Sequence, residues 1–374
     1  MTQFSTRNIS MMMDLYEMTM ANGYFANSDT QPRVIFDIFY RKNPDGGGFA
    51  IFAGLEQILE YIENMHFTEQ DIEYFASLKL FSQEFLNYLK DFRFTGDIYA
   101  FPEGTIMYPN EPCVTVVAPL IDAQLVETAL LALFNHQSLI ATKTSRIVRA
   151  AGNRAVSDFG ARRAHNMDAA VYGARAAYIA GAAGTATVLA GQKFNIPVGG
   201  TMAHSWVMYY KDEYEAFKKY AQVYPDATVL LVDTYDVIRS GIPAAIRVAK
   251  EVLEPMGKRL KGIRIDSGDL AYLSKRVRKM LDEAGLEDCK IVVSKISAVE
   301  KDGSYEPRIK VSETVEKITN PGFKRVYRIY GEEGYAVADL ITSFEEEVNM
   351  DEPYRYVDPE KPWKNRFFEN CTCK

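Results

Sequence analysis

The feature that most restricts this chain is a rhythm. Between Arg154 and Ser294, short β-branched runs alternate with helical stretches. "AVSDFG" leads into a small-residue helix, and "IPVGGT" into a helix from Ser205 to Ala221. "TVLLVDT" (Thr228–Thr234) leads into Val237–Leu253, and "GIRIDSGD" into Leu270–Ala284, before "KIVVS". Units of about thirty residues in β-α order are crossover units, and strands joined by crossovers run parallel. A parallel sheet needs helices over its faces, so the pattern predicts an α/β fold. The 374 residues, 47% of them hydrophobic, exceed one small domain. At about 150 residues per domain they suggest two or three units, unless one is a large α/β barrel.

The flanks read differently. Asp14–Ala26 has helical spacing, Arg33–Arg41 alternates as a strand, and Leu55–Met65 is an amphipathic helix. Thr68 can cap the next helix, with Asp71 at the capping-box position. From Phe92 to Pro119 the period falls to two, which predicts short strands, and a long helix follows from about Asp122 to Ala151. Beyond Lys295, "YEPRIKVSE" and "KRVYRIYG" return to β alternation and are expected to pack with the early strands. The expected domains are residues 1–121 (α+β), 122–295 (β/α units and site) and 296–374 (C-terminal β segments).

Bulk chemistry removes several function classes. A net charge of −7 argues against a nucleic-acid surface, so local basic spots point to anionic small molecules. The N-terminus has no basic segment followed by an apolar run, and Ala169–Ala190 is too polar to span a membrane. The expectation is a soluble cytoplasmic protein with no membrane partner. The four cysteines contain no Cys-x-x-Cys, and the Cys371-x-Cys373 tail reads as a reduced terminus, the alternative being a metal site completed from elsewhere. Absent too are the dinucleotide glycine fingerprint, the phosphate loop, His-Glu-x-x-His and the Gly-x-Ser-x-Gly elbow. His66, His136, His165 and His204 lack metal-ligand spacing.

Polar residues collect where the strands stop. They are Asp158, Phe159, Arg162 and Arg163; Gly199, Gly200, Thr201 and His204; Asp233, Thr234 and Asp236; and Asp266, Ser267 and Asp269. In β/α folds the carboxyl ends of the strands share one rim, where chemistry sits. Helix capping accounts for Ser205 and Asp269 but not for paired arginines and an isolated histidine. A guanidinium fork matches carboxylate or phosphate. Paired glycines let backbone approach a bulky anion, and a following helix start presents N–H groups to it. Asp233, Asp266 and Asp269 suit ribose hydroxyls or a water-bridged magnesium ion. His204 can be a proton donor or a nucleophile toward phosphorus; a hydrogen-bonded strand-end histidine fits the spacing equally well.

Six ordered motifs then resemble the nicotinate phosphoribosyltransferase family: "DLYEMTMANGYF", "GLEQILEYI", "SLIATKTSR", "DFGARRAHNMDAA", "VGGTMAHSW" and "GIRIDSGDL", spanning residues 14 to 294. The resemblance implies a type II phosphoribosyltransferase fold. That is an irregular β/α barrel with an N-terminal α+β domain completed by C-terminal β segments, in a homodimer with shared active sites. It implies a C–N ligase that joins nicotinate to phosphoribosyl pyrophosphate in NAD salvage, coupled to ATP hydrolysis through a phosphohistidine, with Mg2+. His204, in Gly200–Ser205, is then the phosphate acceptor. Tyr16, from the partner subunit, and Phe159 flank the pyridine ring. Arg162 and Arg163 hold the nicotinate carboxylate and substrate phosphates between them, Thr201 binds substrate, and Asp266 and Asp269 face the ribose or its metal. Thr142, Lys143, Gly199, Gly200 and Ser205 lie at phosphates; the metal ligands are unassigned. Quinolinate phosphoribosyltransferase, which uses no phosphohistidine, and a non-catalytic nucleotide- or partner-binding barrel are the rival readings.

Two departures stand out. His165 occupies a position where the family usually has glutamine. At "VVSKISAVEKDG" the family's next helix and glycine-rich strand end have no room, since a crossover needs a dozen residues or more. The chain also stops before the end of most bacterial members. The expectation is a longer native polypeptide, with Ser294 and Lys295 further apart than the roughly 3.8 Å of adjacent Cα atoms.

Overall fold

The computed structural model describes residues 7–27 and 32–293, followed by the backbone strands Ser297–Lys301, Ser304–Arg308, Lys324–Tyr330, Ala336–Ser343 and Tyr354–Tyr356. The chain divides into two compact units at Gly199/Gly200.

In the first unit, alternation builds an antiparallel sheet. Val114–Pro119 lies between Arg33–Ile38 and Asp97–Ala100, in the register Phe36↔Val116 and Ile98↔Val116. Val114, Val116 and Ala118 face inward, and with Phe52, Phe85 and Phe134 they share one core under the helices Leu15–Ala26, Leu55–Glu63, Glu69–Ser77 and Gln83–Lys90. Thr68 and Asp71 form the expected capping box. The long helix starts as Leu120–Leu125, breaks at Val126 and continues as Glu127–Ala151. Gly54 has φ +110, and a Cβ there would lie 2.7 Å from the Leu133 carbonyl oxygen, so only glycine lets helix Leu55–Glu63 start this close to the long helix.

The first parallel strands are very short. Ser157–Asp158 pairs with Gly184–Thr185, and Thr185 makes a single parallel bridge to Val198. This corrects the sequence reading in two ways. The small-residue stretch is helical only over Met167–Ile179; it turns at Gly181 (φ +98) and continues through a strand and the helix Val188–Phe194. "IPVGGT" is a one-bridge contact rather than a strand, because Pro197 has no N–H and the glycines carry no side chain to pack.

The second unit holds a parallel sheet in the order Lys290–Val293, Gly262–Ile265, Val229–Leu231. All four residues of the central strand are buried, as a sheet covered on both faces requires. Its core gathers Phe217, Leu230, Leu231, Ile263, Ile265, Val277 and Leu281. The expected Ser205–Ala221 helix is two, His204–Tyr209 and Glu213–Val223, because Asp212 caps a new start by accepting the Glu215 N–H. Val237–Leu253 is one helical run with wide turns, and Leu270–Glu283 covers the sheet. The fold is mixed α/β, and no closed barrel is traced by the described strands. Ser297–Lys301 pairs with Ser304–Arg308, and Lys324–Tyr330 lies between Ala336–Ser343 and Tyr354–Tyr356. The expected chain break at 294–295 and the Cys-x-Cys tail lie outside the described residues.

Candidate active site

In the second unit the strand ends are tied together. Arg264, buried in the central strand, donates from Nε and Nη2 to both oxygens of Asp266 (3.1 and 3.0 Å) and from Nη1 to the Thr201 hydroxyl (2.9 Å). Asp233, at the end of the neighbouring strand, accepts from the Asp266 N–H (2.8 Å) and the Ser267 hydroxyl (2.6 Å). Its other oxygen is buried with no hydrogen-bond partner among the described residues. Asp236 caps the next helical run through the N–H groups of Ile238 and Arg239. Asp269 caps Leu270–Glu283 through the Tyr272 N–H. His204 is the first residue of its helix, half-buried, with Nδ1 3.2 Å from the Thr234 hydroxyl. Ser205, next to it, is exposed. This brings Thr201, His204, Asp233, Thr234, Asp266 and Ser267 into one hydrogen-bonded region. Arg264, its hub, escaped the sequence reading; the one signal was a lone charge between the isoleucines Ile263 and Ile265.

The first unit is arranged differently. Asp158 accepts from the Gly160 N–H of its own loop (2.9 Å) and from the Thr185 hydroxyl on the neighbouring strand (2.9 Å). Arg162 and Arg163 lie in the turn Ala161–Arg163, both exposed. Arg163, Phe159 and Asp158 line a cavity of about 380 Å3 between the long helix and Met167–Ile179, with His136, His165 and small apolar residues. Burial, and then the charge of His165, lowers the pKa of His136. A Cβ at Gly199 or Gly200 would meet nothing within 4 Å.

Three expected site residues have other neighbours. Thr142 is 1% exposed, and its hydroxyl accepts from the Ile51 N–H (2.8 Å) and donates to the Ser138 carbonyl (2.6 Å). Lys143 pairs with Asp45 at 2.9 Å and holds that carboxyl below its ordinary range. Tyr16 is 44% exposed, and its phenol is pushed up to about 12 by desolvation and by a hydrogen bond to Glu127. Another ionic group is structural: Arg175, buried, forks onto Glu103 (2.8 and 2.6 Å) and contacts Glu56, while Glu103 accepts the Gly54 and Leu55 N–H groups.

Parallel strands that end in aspartates, arginines, open glycines and a helix-start histidine define an α/β enzyme for anionic small molecules. Known proteins narrow the class. The chain matches the nicotinate phosphoribosyltransferase (NAPRTase) N-terminal domain over residues 11–135, the nicotinate phosphoribosyltransferase family over 154–320, and the C-terminal domain over 323–374. A nicotinate phosphoribosyltransferase of Bacillus subtilis is 42% identical over 414 aligned positions, covering 99% of this chain and 84% of the relative. One from Mycobacterium tuberculosis is 49% identical over 75% of this chain and 60% of its own length, so the chain spans under two thirds of that relative. The crystal structure of human nicotinic acid phosphoribosyltransferase matches with a TM-score of 0.72 at 29% identity, over 90% of this chain and 82% of that one. The chain belongs to the nicotinate phosphoribosyltransferase family. The Bacillus alignment sets 414 positions against 374 residues, so at least 40 positions are occupied in the relative alone.

Proposed function

We propose that the chain transfers the phosphoribosyl group of phosphoribosyl pyrophosphate to nicotinate, giving nicotinate mononucleotide and pyrophosphate, with ATP hydrolysis coupled through phosphorylation of His204. Family membership makes phosphoribosyl transfer to nicotinate its function, in NAD salvage. The observation that carries the ATP-linked part is His204 itself. It is a half-buried imidazole on the first residue of a helix, with one nitrogen against Thr234 and Nε2 without a partner among the described residues. Thr201 and Asp266, held by Arg264, are proposed to meet the phosphoribosyl substrate, with Asp269 beside them. Arg162 and Arg163, with Phe159, are proposed to receive nicotinate, and Gly199, Gly200 and Ser205 the phosphates. Thr142 and Lys143 are proposed to act at second hand, through the loops they hold.

Among the described residues no three metal-ligating side chains converge. A magnesium ion carried in on substrate phosphates needs only one or two carboxylates, and the unpartnered buried oxygen of Asp233 suits it. Such an ion would neutralise phosphate charge. The irregular β/α barrel, the three-part domain order, the cytoplasmic location and a homodimer in which Tyr16 reaches its partner's site complete the reading. No helix among the described residues is long and apolar enough to cross a membrane.

The test is ATP labelled in the terminal phosphate. Wild type should take up acid-labile, base-stable label and His204→Ala none; label that persists in the variant would overturn the assignment. Mixing inactive Tyr16→Ala and His204→Ala chains should restore about a quarter of wild-type activity if sites are shared and subunits exchange freely. Heterodimers without recovery would refute sharing.

A further inference from the structure

We infer that Thr234 is a positioning residue that selects which nitrogen of His204 attacks ATP: its hydroxyl holds the Nδ1–H tautomer, so the phosphoryl group goes to Nε2. The inference rests on His204 being the phosphate acceptor.

Thr234 is well placed to impose a geometry. It follows the strand Val229–Leu231, which Val232 extends by donating its N–H to the Arg264 carbonyl (3.1 Å). The residue before it, Asp233, is pinned by Asp266 and Ser267; two residues on, Asp236 is pinned by the helix it caps. A β-branched side chain on so constrained a backbone has few rotamers. Its hydroxyl lies 3.2 Å from His204 Nδ1 and has no other partner among the described residues.

The hydroxyl could donate or accept, but only one arrangement leaves a nucleophile. If it donates to Nδ1, the ring proton sits on Nε2 and neither nitrogen has a usable lone pair. If Nδ1–H donates to Thr234 Oγ1, the Nε2 lone pair is exposed. That pair forms a bond to the terminal phosphorus of ATP while the bond to the β,γ-bridging oxygen breaks, and its electrons leave with ADP. The proton stays on Nδ1, hydrogen-bonded to Thr234 Oγ1, through the step. On hydrolysis, water adds to phosphorus and the P–N pair returns to Nε2.

Three measurements test this. In the resting enzyme, nitrogen NMR of 15N-histidine-labelled protein should find His204 as the Nδ1–H tautomer in wild type and Thr234→Ser. Thr234→Val should show a tautomer mixture and roughly tenfold slower phosphorylation, with KM for ATP little changed. After ATP, phosphorus NMR should find the phosphoryl group on Nε2. Phosphorylation of wild type on Nδ1, an Nε2–H resting tautomer, or a Thr234→Val variant identical to wild type would each overturn the inference alone. An Nδ1–H wild type that takes no phosphate would overturn the acceptor reading, and this inference with it.

Discussion

The two sets of strand ends use the same residue types in opposite ways. After Val229–Leu231 and Gly262–Ile265, arginine, aspartate, serine and threonine are bonded to one another, and Arg264 is buried among them. At Ser157–Asp158, the aspartate accepts from its own loop and from Thr185 of the next strand, and the two arginines that follow stand exposed. A buried guanidinium must be paired, so Arg264 is spent on shaping its surroundings. A solvated guanidinium loses little by waiting and gains when a ligand excludes water around it. The first set is bonded internally; the second leaves its two arginines in solvent.

The largest effect expected from this contrast is on Arg264→Met. It removes the buried guanidinium's bonds to both Asp266 and Thr201, so urea unfolding should show a loss of roughly 3 to 5 kcal/mol, with transfer activity falling alongside. A variant as stable as wild type would erase the distinction. Arg162→Ala and Arg163→Ala should do the reverse. KM for nicotinate should rise roughly 10- to 100-fold, as losing a charged hydrogen bond predicts, with unfolding free energy within about 0.5 kcal/mol of wild type. Thr142→Val leaves the buried Ile51 N–H without its acceptor and should cost about 1 to 3 kcal/mol in urea unfolding.

The smallest effect contrasts half-buried Glu103 in the first unit with buried Glu213 in the second by pH. Burial alone would raise Glu103, but the Arg175 fork and two backbone N–H groups outweigh it and hold its pKa below the ordinary value. Its contribution is complete above the ordinary carboxylate range and is lost as pH falls through the depressed pKa. Burial raises Glu213, reinforced by Asp236 and Asp233 and opposed by Ser240. Its contribution is complete below the ordinary range and is lost as pH rises through the raised pKa. Glu103→Gln should therefore flatten the acid limb of stability against pH. Glu213→Gln should gain on wild type as pH rises. Parallel curves for the two variants would show that the environments do not differ.

Much of this was legible in the chain. The strands around Leu231 and Ile265, their acidic ends and the Thr68–Asp71 cap follow from runs and spacing that local physics enforces. Gly184–Thr185 did not, because two residues make no period and tertiary pairing alone creates that strand. Thr142 looked like a phosphate ligand because it precedes a lysine within a family motif; only folding reveals that its hydroxyl is committed to Ile51 and Ser138. Arg264 was hidden by its own strand, since alternation assigns faces and says nothing of a fork that reaches back to Asp266 and across to Thr201.

Gly199 and Gly200 carry a last consequence. Neither sits in the left-handed region, and a methyl group on either would touch nothing. Folding therefore makes no demand for glycine there. In a library of randomised chains sorted only for expression, these two positions should accept alanine or serine as freely as a surface loop does. Sorted instead for growth on nicotinate as sole pyridine source, the same library should return glycine. The gap between the two outcomes would isolate, at single-residue scale, a constraint imposed by what the backbone must touch rather than by how it folds.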